Sequence, residues 1–425
     1  MRLRTIFLFI LSIASIQISF ADNETGRHIE PDYFDLPVNS DTSISITRFG
    51  HDGDRVLWIP SEYGVNKKRH YELLHSLAKL GHEVWLADIH ESYFIPPGRS
   101  SYAGIPVDEI AALIEKSLPQ GKRKLFIVST GRGSAISLLA LNNWQRKTGG
   151  SANFGGIVML HPNFQADTPI PGTAMKYLPI VDSAQFPIFI IQPKKSNKYW
   201  YLGDLIARLN DSGSQVYTQI IEQVSDGYHI KPDATENEKK IARKLPGQIA
   251  GAIHMLSQVK ITPDRKTSQA ETLKILTIPE TLQPYQKEAL VPELEQQDLA
   301  GKMHALQDYR GKVIVLNFWA TWCTPCVEEI PSLGRLQKSF PEKDLIVLSV
   351  DIGESKKEIE NFLEQVPADF PVLLDPDGSL IKRWKIIAFP TTFVIDKKGA
   401  IKLAYYGALK WDAPNIVEQL RGLLE

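Results

Sequence analysis

Cysteine is nearly absent from this chain: Cys323 and Cys326 are the only two in 425 residues. An exported protein that used disulfides as staples would need more of them, dispersed along the sequence. With no third cysteine, this pair belongs to no larger framework, and its thiols are free to act on each other or on a partner. An excess of charge of one sign is missing as well. Lys and Arg number 48 against 49 Asp and Glu, a formal net charge of -1, which leaves no basic footprint for nucleic acid or for a polybasic membrane-surface mode. Long apolar runs are lacking after the first twenty residues, so no later stretch reads as a bilayer span. Metal ligands are scarce too. A structural zinc wants four ligands, no second Cys-x-x-Cys exists, and His304 is the only histidine beyond residue 294. No metal or cofactor is expected.

What is present begins with Met1-Arg2-Leu3-Arg4, a positive start followed by an uncharged apolar run from Thr5 to Phe20 and a small residue, Ala21. This reads as a secretory signal over 1–21 with the cut after Ala21; an uncleaved anchor is the alternative. From Ser45 to Ser257 short apolar runs alternate with amphipathic stretches. Arg55–Ile59, Glu83–Ala87, Lys124–Val128, Gly156–Leu160 and Ile188–Gln192 read as buried strands. Tyr71–Leu80, Asp108–Leu118 and Ala135–Gln145 read as helices. Strand and helix in alternation predict an α/β domain over 22–258, with a doubly wound, mostly parallel sheet. Prolines 279, 284 and 292 punctuate 259–293, taken as a linker that docks in part. Residues 294–425 form a second domain. It has a strongly apolar strand at Val313–Phe318, helices at Val327–Phe340, Lys356–Val366 and Asn415–Leu424, and strands at Leu345–Val350, Thr392–Ile395 and Ile401–Tyr405.

Asn317-Phe318-Trp319-Ala320-Thr321-Trp322-Cys323-Thr324-Pro325-Cys326 follows that first strand, and Phe389-Pro390-Thr391-Thr392-Phe393 lies further on. Together these resemble the TlpA/ResA-like branch of the thioredoxins. A Cys-x-x-Cys where a strand turns into a helix sets the first sulfur among unpaired N–H groups at the positive end of the helix, which favours a thiolate. Cys323 is therefore the expected nucleophile and Cys326 the resolving thiol. Pro325 suits the first helical turn. The resemblance implies a thioredoxin fold, a cis Pro390 opposite the cysteines, and substrate contacts at Trp322, Phe389 and Thr391. It also implies a proton-handling role for Glu329, which is three residues beyond Cys326 and otherwise reads as a plain surface helix residue. Asn317 stands where cytosolic thioredoxins carry a buried aspartate. Ala388 departs from the branch, which commonly has glycine there, and that bears on substrate access.

The first domain resembles the α/β-hydrolase fold more weakly. Such enzymes mount a nucleophile on a G-x-S-x-G turn after a buried strand. Here the turn is Ser129-Thr130-Gly131-Arg132-Gly133, with Gly131 at the nucleophile position. No carboxylate follows the strand ending at Gln192, and His229 alone stands where a triad histidine would. Ser129 and Ser134 are the possible displaced nucleophiles. The expectation is a catalytically silent binding domain joined to a redox domain. The leading reading is a periplasmic thiol–disulfide oxidoreductase acting on protein disulfides or dithiols, by resemblance a reductant supplied by a membrane thiol carrier. A two-module binding protein and a weak esterase with a redox appendage are the alternatives.

Overall fold

In a computed structural model, residues 29–259, 273–276, 279–285 and 291–424 are described. The expected signal, 1–21, and most of the polar tract after Val259 lie outside these residues. The first domain is built on an eight-stranded sheet in the order β1-β2-β4-β3-β5-β6-β7-β8. Its strands are β1 (Asp32–Pro37), β2 (Ser43–Phe49), β3 (Arg55–Ile59), β4 (Glu83–Asp88), β5 (Leu125–Thr130), β6 (Phe154–Leu160), β7 (Pro187–Lys195) and β8 (Gln215–Ser225). From β4 to β8 neighbouring strands run parallel, whereas β1–β2 and β2–β4 are antiparallel. The two-residue period explains both faces. Leu57, Ile59 and Ile127 face one apolar layer, while Val56, Trp58, Phe126 and Val128 face the other.

Helices cover both faces. They are α1 (Lys67–Lys79), α2 (Ile89–Ser92), α3 (Val107–Lys116), α4 (Arg132–Thr148), α5 (Leu202–Asp211), α6 (Glu236–Ala242) and α7 (Leu245–Ser257). Asn66 caps α1 by accepting from Arg69 N–H, and Thr235 with Glu238 forms a capping box on α6. α4 ends on Gly149 in the left-handed conformation, φ 81°, which suits glycine.

The second domain carries a six-stranded sheet, order β14-β13-β12-β15-β16-β9. Its strands are β9 (Gln283–Pro284), β12 (Val313–Trp319), β13 (Leu345–Ile352), β14 (Val372–Asp375), β15 (Thr391–Ile395) and β16 (Ile401–Tyr406), beside a separate hairpin of β10 (Glu295–Gln297) and β11 (Met303–Ala305). β9 belongs to the stretch read as a linker, and it pairs with Leu403 and Ala404 at the sheet edge. The helices are α8 (Thr324–Ser339), α9 (Lys356–Leu363), α10 (Ser379–Trp384) and α11 (Pro414–Arg421). β14 and α10 add a third βα step that the apolar pattern does not mark. β14 is only four residues long, too short to show a period.

The two domains share packing. Tyr201, from the segment between β7 and α5, is 9% exposed and lies in the apolar layer formed by Ile314, Leu316, Phe318 and Trp384. Its hydroxyl donates to Ile386 O at 2.9 Å, and Asn197 Nδ2 donates to Ile387 O at 3.0 Å. Lys195 pairs with Glu358 at 3.2 Å.

Candidate redox site and the cleft before it

β12 ends at Trp319 and the chain turns into α8, with Cys323 as its N-cap residue in extended conformation. Cys323 N–H donates to Ala320 O, and Cys323 O receives Val327 N–H at 3.1 Å. The two sulfurs are joined in a disulfide. Cys326 is fully buried and Cys323 is 7% exposed, so the outer sulfur alone can be approached. Its position at the head of a 16-residue helix stabilises a thiolate once the bond is reduced. Thr321 braces the turn through its N–H and hydroxyl, which donate to the buried Glu354 at 2.6 and 2.7 Å.

The second signature lies opposite. The Phe389–Pro390 peptide bond is cis, and the Phe389 ring meets Trp322 edge-on at 5.7 Å between centroids. Thr391 behaves differently from these two. It is buried, and its hydroxyl donates to Ala388 O at 2.7 Å, so it braces the loop instead of facing the approach to the cysteines. Ala388 is itself buried on this approach.

Glu329 is no surface residue. It is 2% exposed, with Oε1 accepting from Asn317 Nδ2 at 2.8 Å and Oε2 accepting from Trp411 Nε1 at 2.9 Å and Leu409 N–H at 3.2 Å. Burial pushes its carboxyl up to about 7, against the opposing pull of these donors. A group with that value gains and loses its proton near neutrality. Trp411 was not anticipated, since a single tryptophan near the end of a chain carries no motif. His304 is tied internally, Nε2 to Asp298 at 2.9 Å and Nδ1 to Tyr309. No cluster of metal-ligating side chains occurs among the described residues.

Cys323 opens onto a cleft of about 690 Å³ between the two domains. Trp322, Thr324, Pro325 and Phe389 form its redox wall, and the facing wall includes Glu62, Gly131, His161 and Lys198. That second wall sits beyond the carboxyl ends of β3, β5, β6 and β7, where open α/β sheets place their ligands. Gly131 adopts φ 52°, ψ -126° at the start of α4. A Cβ there would come 2.5 Å from Glu62 Oε2, the same oxygen that accepts from Arg132 N–H at 2.8 Å. The carboxylate of Glu62 thus fills the space in front of the turn.

Ser129, Ser134 and His229, the other positions named from the sequence, do not line the cleft. Ser129 donates to Ser134 at 3.0 Å, both fully buried. His229 packs against Trp58 and Tyr228, and burial drives its pKa well below the ordinary histidine value. Glu62, His161 and Lys198 escaped the sequence reading because nothing in their spacing sets them apart.

A strand, a cysteine pair at a helix N-terminus and a cis-proline loop facing it define a thiol–disulfide oxidoreductase of the thioredoxin class. The comparisons with known proteins refine this. A family model described as AhpC/TSA matches residues 288–404. The thiol-disulfide oxidoreductase ResA of Geobacillus thermodenitrificans is 36% identical over 131 residues, 31% of this chain and 75% of that protein. The thioredoxin-like protein YneN of Bacillus subtilis is 36% identical over 28% of this chain and 70% of its own length. Among solved structures, StoA from Bacillus subtilis is covered in full by 32% of this chain, at 26% identity and a TM-score of 0.28. Through its C-terminal domain the chain belongs to the ResA family of thiol–disulfide oxidoreductases.

Proposed function

We propose that the protein is an exported, periplasmic reductant of disulfides whose first domain is a catalytically silent relative of the α/β-hydrolases that binds substrate. The observation that carries this reading is the opening of Cys323 into a cleft whose other wall is that domain. A reduced Cys323 thiolate attacks a substrate disulfide and forms a mixed disulfide, releasing one substrate thiolate. Cys326 then attacks Cys323 Sγ, closes the intramolecular disulfide and frees the second substrate thiol. Two electrons pass to the substrate, and a membrane dithiol carrier restores the pair. Helical spacing places Glu329 one turn from Cys326, and with a carboxyl near neutrality it accepts the proton that Cys326 gives up. Loss of the hydrolase nucleophile supports a binding role for the first domain, since no acyl-enzyme forms on glycine.

Two measurements on the full chain test this. Catalysed disulfide reduction should vanish in Cys323→Ser; equal activity in the variant would overturn the assignment. Equilibration of the pair against glutathione should give a potential near that of thioredoxin, about -270 mV. A value near about -120 mV would make the protein an oxidant.

A further inference from the structure

We infer that the cleft between the domains is the substrate site of the cysteine pair, and that it takes a peptide-sized disulfide bearing carboxylates near its sulfurs, not the disulfide of a folded protein. This rests on the redox reading above. Cys323 is 7% exposed, and the surface it offers lines this cleft. The first domain faces it, so a disulfide must enter between the walls. At about 690 Å³ the space matches sites for small ligands and is far too small for a folded domain.

The polar groups of the hydrolase wall indicate what fits. His161, 6% exposed, lines the cleft with Nε2 unpartnered, as does Asp226 Oδ1. Buried polar atoms are normally bonded, so these mark places for the amides of a peptide-like ligand. The lining cations differ among themselves. Lys198 is paired with Asp226 at 2.5 Å and Lys231 with Glu238 at 3.1 Å. Arg99 is half-buried and has no carboxylate partner among the described residues. Its guanidinium lies 5.7 Å from the ring centre of Tyr406, on the other domain, so it spans the cleft where a substrate would pass. A guanidinium fork without a counter-ion suits a carboxylate. No ion pair joins it to Glu62 among the described residues, and Glu62 Oε2 accepts from Arg132 N–H at the head of α4.

The test uses a single turnover, so no external reductant enters. The full chain is reduced, freed of reductant and mixed with oxidised glutathione, with cystamine (a disulfide without carboxylates) or with folded insulin. The rate of Cys323–Cys326 closure is read as two thiols appear on the substrate. Oxidised glutathione should react fastest and insulin at least about tenfold more slowly. Arg99→Ala should lower the glutathione-to-cystamine rate ratio by about tenfold, and Arg99→Lys should recover part of it. The ratio is internal to each preparation, so a misfolded fraction cancels. Insulin matching oxidised glutathione, or a ratio unchanged in Arg99→Ala, overturns this inference and leaves the redox assignment standing. Failure of all three to oxidise the pair overturns both.

Discussion

Replacing Glu329 by glutamine isolates the free energy of keeping one carboxyl inside the redox domain. Burial raises that carboxyl from 4.5 to about 7. The folded chain therefore holds the proton more tightly than the unfolded chain, and folding takes up a proton between those values. Stability from this group is complete below about pH 4.5 and is lost as the pH climbs through about 7. The interval between 4.5 and about 7, at ~1.4 kcal/mol per pH unit, amounts to ~3 kcal/mol. Glutamine keeps the shape. Its carbonyl can still accept from Trp411 Nε1 and Leu409 N–H, and its amide can donate to Asn317 once that side chain turns over, with the Thr392 hydroxyl, now a partner of Asn317 Nδ2, rotating to match. Urea unfolding of the oxidised full chain, followed in the transition of the redox domain, should show wild type losing ~3 kcal/mol between about pH 4.5 and about pH 8, with Glu329→Gln much flatter. Asp375, raised by burial to about 6, adds its own slope to both proteins, so the difference between them reports Glu329. Parallel curves across this range would refute the argument.

Three further outcomes follow from the geometry. Cys326→Ser should trap a mixed disulfide between Cys323 and its substrate, seen as an added mass removable by dithiothreitol; absence of the adduct would deny Cys326 its resolving role. Gly131→Ser should gain no hydrolysis of p-nitrophenyl esters, because the new Cβ meets Glu62 Oε2 at 2.5 Å and the left-handed backbone adds ~1–3 kcal/mol of strain. A burst of p-nitrophenol would contradict this. Glu83→Ala should destabilise the first domain by ~3–5 kcal/mol in thermal unfolding, since Glu83 is buried and joins Arg55 at 3.1 Å, Arg123, and Trp85 Nε1 at 2.8 Å. A loss below ~1 kcal/mol would mark the cluster as solvated.

Much of the architecture was legible because it rests on local signals. Leu125–Thr130 is buried throughout, and its apolar start Leu125–Val128, short and ending in two β-branched residues, reads as an interior strand beside parallel neighbours. The cysteine motif was legible for the same reason, since its chemistry is compressed into four residues and the strand before them. The antiparallel strands β1 and β2 were harder to see, because Asp32, Asp35 and Pro37 break up the apolar residues of β1 and leave a weak apolar run. Glu329 could be named from its spacing but not placed in the interior, because the groups that hold it, Trp411 and Leu409, lie about eighty positions away. The facing wall of the cleft was invisible for a like reason. Glu62, His161 and Lys198 come from separate strand ends, and only the assembled sheet brings them before Cys323.

The segment Lys195–Tyr201 has a further consequence. Its Asn197 and Tyr201 hold the carbonyls of Ile387 and Ile386, just ahead of the cis Pro390, and the Tyr201 ring fills part of the apolar layer beneath them. The stretch that carries the family's motifs is therefore shorter than the stretch that covers its apolar layer. A polypeptide begun at Leu294 would carry the Cys-x-x-Cys and cis-proline motifs and leave that part of the apolar layer open to water.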